Sequence, residues 1–251
     1  MKRAFSLVEL SIVLVILGLL VGGVLSGQSL IRAAQLRSVS TEATRYITAT
    51  QTFRDKYFAI PGDMANATNF WGATASCPGT AGTGTQTCNG DGDGIIESGT
   101  ASEYVEHFTY WQHLANAGLI EGTYTGRAGA GSGIEAVVGN VPASKLSNAY
   151  WFAFNWNQTI TGSTAAFDGT YRDTQLQFGA LSAAGSPATP VLKPEEAWNV
   201  DTKIDDGRPA YGIMRERFWD NCTNAANSAD LDANYSLTMT TAVCTPFIIM
   251  R

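Results

Sequence analysis

Glu9 is a lone charge at the head of an apolar run: residues 10–25 are sixteen in a row without a charge, nearly all Leu, Ile, Val or Gly. A carboxylate in such a run costs about 2.5–3.5 kcal/mol on insertion into lipid, so it calls for a partner. Cleavage between Ala4 and Phe5 would supply one, a new ammonium at Phe5, four residues before Glu9. Amine and carboxylate can neutralise each other within one chain, or between chains staggered in a bundle. Between chains, the pairing rewards side-by-side packing in lipid and sets the stagger.

A second group of oxygen ligands occupies residues 89–97, Asn-Gly-Asp-Gly-Asp-Gly-Ile-Ile-Glu. Acceptors at alternate positions with glycine at the sixth reproduce the first half of an EF-hand-type loop, in which alternation points the side chains inward and Gly94 permits the sharp turn. Calcium is the ion expected, held by Asn89, Asp91, Asp93 and Glu97 with the Ile95 carbonyl. Thr100 stands at the twelfth position, where a bidentate acid belongs, so Glu103 would have to reach back. The competing reading is a solvated Asp-Gly turn. In a further acidic cluster over residues 201–207, Asp205-Asp206-Gly207 reads as a turn in preference to a metal site. His107 and His113 read as packing or surface residues, because no third ligand stands at metal-site spacing.

Cys77, Cys88, Cys222 and Cys244 are the only cysteines, and no CxxC occurs. An even count suggests two disulfides made in an oxidising compartment, with three pairings open. Both local loops are short and easily closed, which favours Cys77 with Cys88 and Cys222 with Cys244. No HExxH, GxSxG, phosphate loop or dinucleotide fingerprint appears, so no catalytic residue and no enzyme is expected.

The elements that position these groups begin with a long helix. Residues 5–25 cover about 31 Å as a helix, a bilayer's hydrocarbon thickness. Lys2 and Arg3 precede the run, which puts the amino end in the cytoplasm and the rest outside. Beyond Gly27, Leu36, Val39, Ala43, Tyr46, Thr50, Phe53 and Tyr57 recur at steps of three and four. That spacing draws one apolar stripe, with Arg37, Glu42, Arg45 and Arg54 off it. No proline interrupts before Pro61, so one helix is expected over 5–58, its first half (5–25) in lipid or a filament core and its second (28–58) an amphipathic stalk.

From residue 59 the pattern changes. Residues 101–117 read as a short amphipathic helix presenting Phe108, Trp111 and Leu114 and stopped by Gly118. Aromatic-rich runs at 149–156, 175–181, 211–214 and 247–250 predict an antiparallel sheet. The expected fold is therefore α+β: a long N-terminal helix packed against a C-terminal antiparallel β-sheet head with loops and a short helix. Residues 1–58 hold seven Lys/Arg and three Asp/Glu, net +4, and residues 59–251 hold nine and nineteen, so the head carries −10 and the whole chain −6. A head so acidic, without a basic stripe, argues against nucleic acid as a partner.

A basic leader, a small residue, and then Phe5-Ser6-Leu7-Val8-Glu9-Leu10 resemble the cleavage and methylation motif of type IV pilins and type II secretion pseudopilins. The resemblance covers about the first thirty residues. It implies removal of leader residues 1–4 by a prepilin peptidase, N-methylation of Phe5, and contact of Glu9 with the amino terminus of a neighbouring subunit. The partners it implies are homologous pilin or pseudopilin subunits, the peptidase, an inner-membrane assembly platform, and membrane lipid before assembly. The implied location is the bacterial inner membrane as a single-pass precursor, then a periplasmic or extracellular filament carrying the globular head, 59–251. Some secretion pseudopilins also bind calcium. The chain departs from the family in having Ala4 where Gly is usual and no proline near Ser26; Gly22, Gly23 and Gly27 could loosen the helix there instead. The rival reading is a membrane-anchored or signal-peptide-secreted extracytoplasmic binding protein or hydrolase, with Val24 and Ser26 serving a signal-peptidase site.

Overall fold

The computed structural model describes residues 7–75, 77, 84–97, 106–127, 140–163, 165–182, 187–218 and 221–250. The expected long helix is α1, Leu7–Tyr57, 51 residues without a break, about 77 Å at 1.5 Å per residue. Its stripe packs as the spacing requires: Val39, Ala43, Tyr46, Thr50 and Phe53 are buried, and Leu36 and Tyr57 lie half-buried against the same core. Every large apolar side chain in residues 7–31 is exposed instead. The two halves of one helix thus have different surroundings, because only the second half carries polar residues on one side and apolar ones on the other.

Glu42 departs from the expectation that it lies off the stripe. It is buried, its Oε2 accepts the Trp151 indole N–H at 2.8 Å, and its Oε1 accepts the Lys145 backbone N–H at 3.0 Å. A carboxylate can be buried when both oxygens are engaged by donors, and these two donors come from the head.

The head opens with the one-turn α2, Thr68–Trp71, and then α3, Glu106–Asn116. The helix expected over 101–117 is α3 from residue 106 onward; residues 101–105 lie outside the described residues. Phe108, Trp111 and Leu114 face the core as expected, and Gly118, at φ +73°, ends the helix with Leu119 N–H bonding back to the Leu114 carbonyl at 3.0 Å. The helix is buried all round from Glu106 to Leu114 rather than amphipathic. Its polar side is satisfied internally: Gln112 accepts from the Thr87 hydroxyl at 2.6 Å and donates to the Gln86 carbonyl at 3.0 Å.

Strands β1 (Tyr150–Phe154), β2 (Gln158–Ile160), β3 (Gly169–Tyr171) and β4 (Thr174–Gly179) follow, then helix α4 (Pro194–Ile204), β5 (Met214–Glu216) and β6 (Pro246–Met250). Four strands form an antiparallel sheet in the order β1-β4-β6-β5, and β2 pairs with β3 in a separate hairpin. The architecture is α+β, a long N-terminal helix followed by an antiparallel sheet with a few short helices. Central strands β4 and β6 are buried along their whole length, covered on both faces. Trp151, Phe178, Met214 and Ile248 meet Val39 of α1 and Val200 and Ile204 of α4, while Phe247 and Ile249 join Ile160, Ala166 and Tyr171 in a second cluster.

Three of the four expected runs coincide with strands. The fourth, 211–214, is corrected to Met214–Glu216, because Gly212 turns at φ +71° and the Ile213 and Met214 N–H groups bond the Asp205 carboxylate instead of a strand. Helix α4 and the β2–β3 hairpin were not expected. The disulfides join Cys77 to Cys88 and Cys222 to Cys244, the local pairing, each contributing about 2–4 kcal/mol.

Candidate functional site

Helix α1 is the one helix among the described residues long and apolar enough to cross a membrane, and none of its most apolar window is buried by the head. Within residues 7–31 Glu9 is the only charged side chain. Ala4 and Phe5 lie outside the described residues. The head takes hold of the helix at Arg32, whose guanidinium forms two bonds to Glu196 of α4, at 2.7 and 2.6 Å, and a third to the Val191 carbonyl at 3.0 Å. Burial alone would raise Glu196; Arg32 and the Lys193 N–H reverse this and hold it below the usual carboxylate range. A paired two-toothed contact of this kind fixes orientation as well as distance, so it sets where the free half of α1 leaves the head.

The acidic loop is built from more of the chain than residues 89–97. Asp63, in the turn after α1, is buried, and its two oxygens accept the Gly92 and Gly94 N–H groups at 2.6 and 2.9 Å. Two glycines allow the approach: a Cβ on Gly62 would lie 2.5 Å from the Glu106 carbonyl oxygen, and one on Gly90 would lie 2.5 Å from the Asp63 backbone. Glu106, buried at the start of α3, accepts the Asp91 N–H at 3.1 Å and the Glu97 N–H at 3.4 Å.

Carboxylate oxygens of Asp63, Asp91 and Asp93 lie within 4.8 Å of one another, as do those of Asp91, Glu97 and Glu106. Asp91 and Asp93 also bond the N–H two residues on, at 3.1 and 2.8 Å. Asn89 Oδ1 accepts the Thr68 N–H at 2.8 Å, at the start of α2. Of the four expected ligands, Asp91 lies near Asp93 in one group and near Glu97 in the other, while Asn89 is engaged with α2. Asp63 and Glu106 were missed. The turn 60–63 was legible, but nothing local says that its acid faces a loop some thirty residues on.

Burial raises Asp63 to about 6, against the Gly94 and Gly92 amides, with Asp93 and Asp91 adding to the rise. Burial also raises Glu106, and a hydrogen bond to the Glu97 carboxyl raises it further. Poor hydration and nearby charge of the same sign disfavour ionisation of both, though at about 6 Asp63 is still mostly ionised at neutral pH. The histidines beside them serve packing. His113 accepts the Gly62 N–H on Nδ1 at 2.9 Å and meets the Thr87 hydroxyl through Nε2 at 3.0 Å, and His107 donates from Nδ1 to the Glu97 carbonyl at 2.9 Å. Burial lowers both rings to about 4, so they stay neutral. The cluster of Glu216 with Cys222 and Cys244 offers no thiolate, since those sulfurs are bonded to each other.

Residues 1–25 match the family model described as the prokaryotic N-terminal methylation motif, the prepilin motif of type IV pilins and pseudopilins. No curated protein and no solved structure matches the chain. The motif and the apolar helix together fit a membrane-anchored precursor.

Proposed function

We propose that the chain is a structural subunit of a type IV pilus-like filament or a type II secretion pseudopilus, and that it has no catalytic role. One observation carries this: the methylation motif stands at the start of a continuous 51-residue helix whose first half is apolar on every side and uncovered by the head. An anchor needs only the apolar span. The continuous stalk, held in the head by Arg32 and Glu42, suits a rod that packs among other such rods while presenting its head outward. In this reading residues 1–4 are a leader removed by a prepilin peptidase. Residues 5–58 form the assembly helix, and residues 59–251 the head on the far side of the inner membrane. Partners are neighbouring subunits of the same kind and the inner-membrane platform that feeds them into the filament.

The mature protein is expected to begin at Phe5 with a methylated amine. Intact-mass measurement with sequencing of the terminal peptide checks this. A mature chain beginning at Gly27 would overturn it in favour of an ordinary secretory signal.

For the loop at 89–97 we propose calcium, held by Asp91, Asp93 and Glu97 with Asp63 and Glu106 behind them. The supporting observation is that Asp91 belongs to two carboxylate triads, one with Asp93 and the buried Asp63 and one with Glu97 and the buried Glu106. Calcium takes six to eight oxygens and tolerates irregular geometry. At a hundredfold excess over its dissociation constant it should stabilise the fold by about 2.7 kcal/mol by mass action. Thermal melts with and without the ion should show this gain, and D91A/D93A should remove it. An unmoved wild-type melting curve in millimolar calcium leaves the loop a turn.

A further inference from the structure

The end of α4 gathers three acids where a helix least tolerates them. Asp201 lies in the last turn, Asp205 is the C-cap and Asp206 follows it. The last turn of a helix carries the negative end of its dipole, so each acid there is unfavourable unless a cation answers it. The basic residues close in sequence do not. Lys203 is exposed, and Arg208 is turned to Asp232 at 2.8 Å and to the Tyr211 ring at 4.4 Å.

Asp201 is fully buried. Its Oδ2 accepts the Tyr235 hydroxyl at 2.8 Å, while its Oδ1 is buried and makes no hydrogen bond. The Gly207 backbone N–H also acts on this carboxyl and favours its charged form. Oxygens of Asp201, Asp205 and Asp206 lie within 4.8 Å of one another, about twice a calcium–oxygen bond length, so a single ion can touch all three. The surroundings hold this shape. Asp205 Oδ2 accepts the Ile213 and Met214 N–H groups, and Asp206 Oδ1 accepts the Arg208 N–H at 2.9 Å. A Cβ on Gly212 would collide with the Asp205 carboxylate. A buried carboxylate with one oxygen unbonded, close to two further carboxylates, is costly alone and satisfied by a metal ion.

We propose that Asp201, Asp205 and Asp206 form a divalent-cation site, with calcium as its ion, that clips the end of α4 to the segment leading into β5. Three carboxylates with no nitrogen or sulfur ligand select a hard cation. Because α4 also holds Arg32 through Glu196, the clip braces the element that sets where α1 leaves the head. The site is separate from the loop at 89–97 and does not depend on filament assembly.

The test is calcium binding by the full chain in detergent, measured by equilibrium dialysis. D91A/D93A removes the other candidate site, and in that background one calcium per chain should remain. Adding D206N should weaken the remaining binding at least tenfold, and adding D201N should abolish it. Asn at 206 keeps the acceptor for the Arg208 N–H, so D206N should leave the fold intact and carries the test if D201N does not fold, with near-UV circular dichroism as the control. No calcium on folded D91A/D93A would overturn the proposal and leave a proton shared among the three carboxyls. So would binding indifferent to D206N.

Discussion

Cells carrying Glu9→Ala should make and insert the protein normally yet assemble no filaments. Removing a carboxylate from an apolar span improves insertion by about 2.5–3.5 kcal/mol, so an anchor with an incidental acid would be better off without it. In the proposed assembly Glu9 neutralises the amino terminus of the next subunit's Phe5. Its loss then leaves one ammonium buried without a counter-charge at every interface. Breaking a buried pair from one side costs about 3–5 kcal/mol, and a filament repeats that loss at each subunit, so its length should collapse. Glu9→Lys should be worse, because two like charges then meet. Membrane fractionation should show wild-type levels with the leader removed, and electron microscopy of sheared surface material should show no filaments. Filaments of normal number and length from Glu9→Ala cells would contradict the pairing and leave the chain a simply anchored protein.

The sequence made α1 legible almost to the residue because two independent signals agree on it: an uncharged run long enough for a bilayer, and a three–four stripe from Leu36 to Tyr57. Neither depends on distant parts of the chain. The local disulfides were legible for the same reason, since short loops close without help. What stayed hidden lay in contacts between remote segments. Glu42 reads as lying off the stalk's apolar stripe, and only the fold brings Trp151 and Lys145 to it. Asp63 and Glu106 join the acidic loop from two other elements. Helix α4 could have been found: Pro194 at its first turn with Glu195 and Glu196 beside it is a helix start. Asp205-Asp206-Gly207 reads as a turn, and Asp206 accepts the Arg208 N–H there, but Asp201 lies in the last turn of α4. That Asp201 faces this turn from inside the core is decided by Tyr235, thirty-four residues later.

Glu42→Ala should destabilise the fold by about 3 kcal/mol while leaving insertion and leader cleavage untouched. The carboxylate is 7% exposed and bridges two donors from the head, the Trp151 indole and the Lys145 amide. Hydrogen bonds to a charged group contribute about 1.5–3 kcal/mol each, and a buried donor left without an acceptor loses its desolvation cost outright. Trp151 cannot turn to water for relief: it is 1% exposed, with Tyr46 at 5.6 Å and Phe178 at 4.7 Å between ring centres. Water entering the space left by Glu42 could recover part of the loss at the half-open Lys145 side, not at the indole. Glu42→Gln keeps an acceptor for one donor and should lose roughly half as much. For a chain of this size 3 kcal/mol corresponds to a fall in Tm of about 6–12 °C, read by near-UV circular dichroism on the full chain in detergent. The ordering Ala below Gln below wild type is the signature of a bridging acceptor. A Glu42→Ala protein melting within a degree of wild type would mean that the stalk is held by its apolar stripe alone.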